Sequence, residues 1–237
     1  MKRLHRMPFG AEVGDDGSVE FRLWAPAAKD VLLQLHRNGH VQQMSPQADG
    51  EGWYSLHTDQ AQRGDLYSYL INDEQVVPDP ASRFQPQGVH GPSQVVDPTI
   101  AEWRDTIWRG RPWEQAVVYE LHTGTFSDSG TYEGIERRLD YLADLGVNAL
   151  ELMPLSAFPG ERNWGYDGVL PFAPSQCYGS PDDLKRLVQA AHEREMMVLL
   201  DVVYNHFGPD GNYLHLYAPN FFTHKHQTPW GDGINFD

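Results

Sequence analysis

The chain has 237 residues, of which 40% are hydrophobic, 12% aromatic and 22% charged, a composition that excludes disorder, collagen and low complexity and suffices for one large core or two small ones. Thirty-three Asp plus Glu against eighteen Lys plus Arg leave a formal net charge of −15. Such a chain repels phosphate backbones and anionic lipid, so it predicts no nucleic-acid or membrane partner and favours a neutral ligand.

The first eight residues, Met1 to Pro8, are basic. Gly10, Glu12, Gly14, Asp15 and Asp16 then stand where a secretory leader has its apolar core. The apolar run Met196 to Leu200 is too short to span a bilayer, and the lone Cys177 permits no intramolecular disulfide. These features predict a cytoplasmic protein.

Four strand-like runs follow: Val19 to Ala25, Val31 to Leu35, Trp53 to Leu56 and Leu66 to Ile71. Pro26, Asn38-Gly39, Asp49-Gly50 and Arg63-Gly64-Asp65 between them are turn chemistry. Closely spaced strands without helices predict a small antiparallel sandwich over residues 1–105. Its Trp24, Trp53 and Tyr54 are expected in the core. Pro78 through Pro92 is an irregular connector.

In residues 106–237 the periodicity changes. Val117 to Leu121, Asn148 to Met153 and Val198 to Val203 are buried-type strands. Between the first two, Thr131 is positioned to cap one helix carrying Ile135, Leu139, Leu142 and Leu145 on one face, stopped by Gly146. Between the second and third, a long loop leads to Ser180-Pro181-Asp182-Asp183, a capping-box start for a helix with Leu184, Leu187, Val188 and Ala191 on one face. Strands alternating with helices predict a parallel sheet with right-handed crossovers. Residues 204–237 show no clear periodicity. The segment 106–237 is about half the ~250 residues that a closed (β/α)₈ barrel needs.

Parallel sheets bind ligands at the carboxyl ends of their strands. Three segments fall there: His122 to Phe126, Pro159 to Gly168 and Asp201 to Pro209. They offer aromatic rings, amides, imidazoles and carboxylates and no phosphate cradle, an inventory suited to a neutral polyol. Each residue also has a plainer role: Asp201 as a local cap, His206 as a structural histidine, Trp164 as packing beneath its loop. His224 and His226 alone make a poor metal site. His192-Glu193 does not continue into H-E-x-x-H, and the sequence has no P-loop, Rossmann or nucleophile-elbow signature.

Asp201-Val202-Val203-Tyr204-Asn205-His206 resembles the first signature region of the α-amylase family of glycoside hydrolases, at the end of the third barrel strand. Asn163-Trp164-Gly165-Tyr166 and Tyr178 through Leu184 resemble the loop and helix before it. Phe21 through Pro26, Pro78 through Arg83, Val89 through Ser93, Tyr119 through His122, Phe158 through Gly160 and Thr228 through Gly231 resemble the trehalose-releasing branch of that family. The resemblance implies an immunoglobulin-like sandwich followed, in residues 106–237, by only the first three β/α units of a TIM barrel, and retaining hydrolysis that releases trehalose from maltooligosyl trehalose. It implies that Tyr166 and Trp164 meet the sugar, that His206 bonds a sugar hydroxyl, and that Asp201 orders the polar network below. Asn205 matches a calcium-binding position of many members, but neither metal nor cofactor is expected.

Two departures stand out. Glu195 occupies a helix end where the pattern has Gly. The family's nucleophilic Asp and acid/base Glu follow later barrel strands, so they are expected beyond Asp237, and the chain alone is expected to be inactive. The alternatives are a portion of a glycogen branching enzyme and a non-catalytic α-glucan-binding protein.

Overall fold

The computed structural model describes residues 6–99, 103–104, 108–228 and 230–236, with the backbone alone at 226–228 and 231. The expected boundary between 105 and 106 falls outside them.

The first module has nine strands among the described residues: β1 (Gly10–Val13), β2 (Val19–Trp24), β3 (Val31–Arg37), β4 (His40–Met44), β5 (Gln47–Ala48), β6 (Trp53–Thr58), β7 (Leu66–Ile71), β8 (Gln75–Val77) and β9 (Ser93–Gln94). They form two antiparallel sheets, ordered β1-β2-β6-β5 and β4-β3-β7-β8, with β9 also pairing to β7. Alternation explains the layering: Val19, Phe21 and Leu23 of β2 and Val31, Leu33 and Leu35 of β3 all turn into the common core. Asn38 and Gly39, at φ 49° and 77°, form the two-residue turn between β3 and β4. Trp24, Trp53 and Tyr54 are half-buried at the core's margin, with the Arg22 guanidinium 4.8 Å from the Trp53 ring centre. The connector is irregular but packed inward: Asp79 is fully buried, and its Oδ2 accepts from Tyr67 Oη at 2.7 Å.

The second module carries β10 (Val118–Leu121), β11 (Ala149–Leu152) and β14 (Met197–Leu200), parallel and adjacent in that order. Residues 123–144 connect the first two as α1 (Thr123–Phe126), α2 (Tyr132–Glu136) and α3 (Leu139–Asp144). The second pair is joined through an antiparallel pair, β12 (Ser156–Ala157) and β13 (Leu170–Pro174), and α4 (Pro181–Glu193). The sequence reads this pair as loop. Among the described residues the rest comprises α5 (Leu214–Tyr217), a short 3₁₀ turn (Pro219–Phe221), and the hairpin β15 (Phe222–Thr228) and β16 (Gly231–Ile234).

Several expectations need correction. The single helix from Thr131 to Leu145 is two: Thr131 caps α2 as expected, accepting from Gly134 N, but the helix breaks at Arg137 and Arg138 before α3. Leu145 is consequently 60% exposed. Val147 takes the inward position, because Gly146 (φ 92°) turns the chain while Gly146 N donates to Ala143 O and Val147 N to Leu142 O, a Schellman closure. The third strand ends at Leu200 rather than Val203, although Asp201 N still donates to Leu152 O.

One helix terminus follows expectation. Ser180 and Asp183 make a reciprocal capping box with Pro181 in the first turn. At the other end of α4, Glu195 takes the left-handed conformation at φ 55°. Arg111 holds it there, donating from Nε to Glu195 O at 2.6 Å and from its terminal amine to Oε2 at 2.7 Å.

The modules share buried surface. Leu214, Tyr217, Ala218 and Phe222 sit in the sandwich core, and Ala27 N donates to Tyr217 O at 2.9 Å. The helices cover one face of the parallel sheet through Leu121, Leu150, Leu152, Ile135, Leu139, Leu142 and Leu187. No helix among the described residues is long and apolar enough to cross a membrane.

Candidate functional site

Backbone direction gathers the candidate residues. Asp201 leaves the carboxyl end of β14 one residue beyond Leu200, and on the alternation of a strand its side chain falls on the face of Leu199 and, across the register, Glu151 and Glu120. That face is opposite the helix-covered one. The loop between β12 and β13 folds over it, bringing Tyr166 Oη to Asp201 Oδ2 at 2.6 Å. This hydrogen bond, followed by desolvation and the fields of Asp201, Glu120 and Glu151, pushes the Tyr166 phenol up to about 12. Tyr166 therefore remains a neutral donor at physiological pH.

Sequence-local bonds shape the loop. Asn163 Oδ1 accepts from Gly165 N at 2.5 Å, an Asx-type turn. Gly165 is buried at φ 121°, a backbone setting suited to glycine. Trp164 projects 56% exposed, donating from Nε1 to Asp167 Oδ2 at 2.7 Å, with its ring centre 5.0 Å from that of Tyr166. Two aromatic faces thus stand side by side with a carboxylate at each end. Such a surface takes the C–H face of a pyranose while offering acceptors to its hydroxyls.

His206 is nearly buried, at 8% exposure. Its Nε2 lies 3.1 Å from Tyr166 O and its Nδ1 3.2 Å from Asn205 Oδ1, and Trp230 lies against its ring at a 5.6 Å centroid distance. Nε2 is thus engaged by the Tyr166 carbonyl while Nδ1 lies beside the Asn205 side-chain amide, and the ring fixes the platform's backbone. Asn205 is exposed at the rim, its carbonyl accepting from Ile234 N at 3.4 Å. The five residues singled out in the sequence, Trp164, Tyr166, Asp201, Asn205 and His206, therefore share one locus.

Among the described residues no group of three or more His, Cys, Asp or Glu side chains is arranged to hold a metal. His224 Nδ1 lies 3.9 Å from an Asp232 carboxylate oxygen, and the His226 side chain lies outside the described residues. Cys177 is free, its Sγ 3.7 Å from Gly160 O.

One contact was not anticipated. His122, at the end of β10, has Nε2 2.8 Å from Asn163 O. Its position after a parallel strand was the only available signal; its partner lies 41 residues away.

A sandwich preceding parallel β/α units, with an aromatic and acidic site at their carboxyl ends, defines a class of carbohydrate-active protein, and the comparisons agree. The α-amylase catalytic domain matches residues 85–225 and carbohydrate-binding module 48 (isoamylase N-terminal domain) matches residues 8–98; the chain belongs to the α-amylase family. It is similar to malto-oligosyltrehalose trehalohydrolase of Saccharolobus solfataricus, at 45% identity over 231 residues covering 98% of this chain and 40% of that protein. The Mycobacterium tuberculosis (strain CDC 1551 / Oshkosh) protein of the same name is 48% identical over 221 residues, covering 91% and 37%. The chain thus spans about two fifths of the length of these relatives. A crystal structure of a putative α-amylase from Salmonella typhimurium superposes with TM-score 0.93 at 50% identity, covering 98% of this chain and 39% of that one.

Proposed function

We propose that residues 1–237 are the portion of a trehalohydrolase-like glycosidase that holds a maltooligosyl chain beside the bond to be cut. Tyr166 and Trp164 supply the faces for the sugar ring, Asp201 orders the polar floor, and His206 with Asn205 holds the rim. The substrate is maltooligosyl trehalose or a related α-1,4-glucan, the product trehalose, and the setting the cytoplasm. The observation that carries this reading is the Tyr166 Oη to Asp201 Oδ2 bond at 2.6 Å, which ties an aromatic ring through its hydroxyl to a carboxylate at the carboxyl end of a parallel sheet. The identity to the two trehalohydrolases supports the choice of substrate.

Retaining cleavage needs a carboxylate nucleophile and a carboxylic acid about 5–5.5 Å apart, on either side of the scissile bond. Asp201 is committed to Tyr166, and Glu120 and Glu151 lie one side-chain layer below it in strand register. On the family resemblance, the nucleophile and the acid are assigned outside residues 1–237. Purified 1–237 is expected to bind maltotetraose saturably in a calorimetric titration and to release no trehalose from maltooligosyl trehalose. Turnover would refute the assignment of the catalytic pair; no binding at millimolar maltotetraose would refute the glucan platform.

A further inference from the structure

Beyond the residues just assigned, we infer that His122 is a positioning residue: with His206 it clamps the backbone of the 163–166 loop, and the clamp sets the orientation of the Trp164 and Tyr166 rings.

The clamp consists of two imidazoles on two carbonyls. His122 Nε2 is 2.8 Å from Asn163 O and His206 Nε2 is 3.1 Å from Tyr166 O. A backbone carbonyl only accepts, so each Nε2 carries the proton and each His donates. The two histidines come from opposite edges of the three-stranded sheet, one following β10 and the other following β14. They grip the carbonyls that bracket Trp164 and Gly165. Between them Asn163 Oδ1 takes Gly165 N, so the bracketed turn has few ways to move without breaking a bond.

His122 is itself held rigidly. Its carbonyl accepts from Thr125 N and Phe126 N at the start of α1. Its ring stands edge-on to Tyr178 at 6.0 Å, with Tyr178 Oη 3.4 Å from Nε2. A Cβ at Gly124 would lie 3.1 Å from both His122 Cε1 and a Tyr178 ring carbon, so the strand end is packed around the ring. Nδ1 is buried with no partner among the described residues. The ring is thus placed for the short bond from its Nε2 to Asn163 O, and a donor at the Nδ1 position does not replace it.

That asymmetry supplies the test. The side-chain amide of Gln reaches the position of Nε2, whereas that of Asn reaches the position of Nδ1. His122→Gln is expected to retain the clamp and His122→Asn to open it, although both introduce the same functional group. Arg162 is exposed immediately before Asn163, so trypsin cleavage after Arg162 reads local opening of the loop. Cleavage there is expected to rise about fivefold in His122→Asn, the effect of losing one net hydrogen bond. It should stay near the wild-type rate in His122→Gln, with cleavage at the exposed reference sites Lys29 and Arg63 unchanged in both.

Equal rates at Arg162 in wild type and both variants, or equal acceleration in both, would overturn the clamp. The link to sugar rests on the glucan reading above and has its own readout: maltotetraose affinity should fall in His122→Asn and be restored in His122→Gln. A wild-type protein that binds no maltotetraose while showing the selective proteolysis would refute the glucan reading and leave the clamp supported.

Discussion

Gly208 marks the tightest approach between the two loops that make the site. Its N–H donates to Gly168 O at 3.0 Å, and a Cβ added there would sit 2.1 Å from Asp167 O and 2.6 Å from Asp167 C. Real Cβ atoms essentially never come closer than 3.0 Å, so Gly208→Ala must move the loops apart by at least 3.0 − 2.1 = 0.9 Å. The obstructing atoms are backbone, and that backbone is held by the Tyr166–Asp201 and His206–Tyr166 bonds. Overpacking of this kind costs about 1–3 kcal/mol and the lost backbone bond about 1 more, so a total of about 2–4 kcal/mol is expected. Urea unfolding followed by tryptophan fluorescence measures this, and a maltotetraose titration should show weakened binding alongside. Gly146→Ala is the control, because Gly146 stands at φ 92° with no atom within 4 Å of the added Cβ. Its cost is backbone strain alone, about 1–2 kcal/mol, with maltotetraose binding unchanged. A Gly208→Ala protein within ~0.5 kcal/mol of wild type and binding maltotetraose normally would refute the loop contact.

Tyr217→Ala should destabilise by about 3–5 kcal/mol, as for other large aromatic deletions in cores, while Leu145→Ala should stay within ~0.5 kcal/mol; the former side chain is 1% exposed and the latter 60%. Equal effects in the same urea experiment would contradict the placement of both. Burial, partly opposed by the Tyr67 hydrogen bond, raises the carboxyl of Asp79 above its ordinary 3.8. A raised folded value means that its contribution is complete below 3.8 and is lost as pH rises, so Asp79→Asn should gain stability relative to wild type between pH 4 and pH 7. Urea midpoints that keep a constant difference across that range would contradict this sign. Ultraviolet difference titration of wild type against Tyr166→Phe should place the missing phenol near 12, held up by Asp201; a difference signal centred at the ordinary 10 would contradict the bond.

Much of the fold was legible because its signals are local. The capping box at Ser180 and Asp183, the turn at Asn38 and Gly39, and the alternation in β2 and β3 depend on neighbours a few residues apart. The five candidate site residues were legible through motif order, since parallel strands deliver their carboxyl ends to one side. What escaped depends on distant partners. Leu145 keeps helical spacing, but the break at Arg137 and Arg138 changes the helix phase, a tertiary effect that periodicity does not carry. Leu214, Tyr217 and Phe222 lie in an aperiodic stretch and find their core more than a hundred residues earlier in the chain, among β2, β3 and β7. His122 needed Asn163 to acquire a role.

The placement of Leu214, Tyr217, Ala218 and Phe222 in the sandwich core also bears on the order in which the molecule is made. A polypeptide leaves the ribosome from its amino end, and its modules ordinarily fold as they emerge. All nine sandwich strands have emerged once Gln94 is clear. Their shared core then still lacks residues that are synthesised only after all three parallel strands, so completion of the first module waits for the second. Grafting the sandwich alone onto another protein would leave this core open at Ala27, where Tyr217 supplies the hydrogen-bond acceptor.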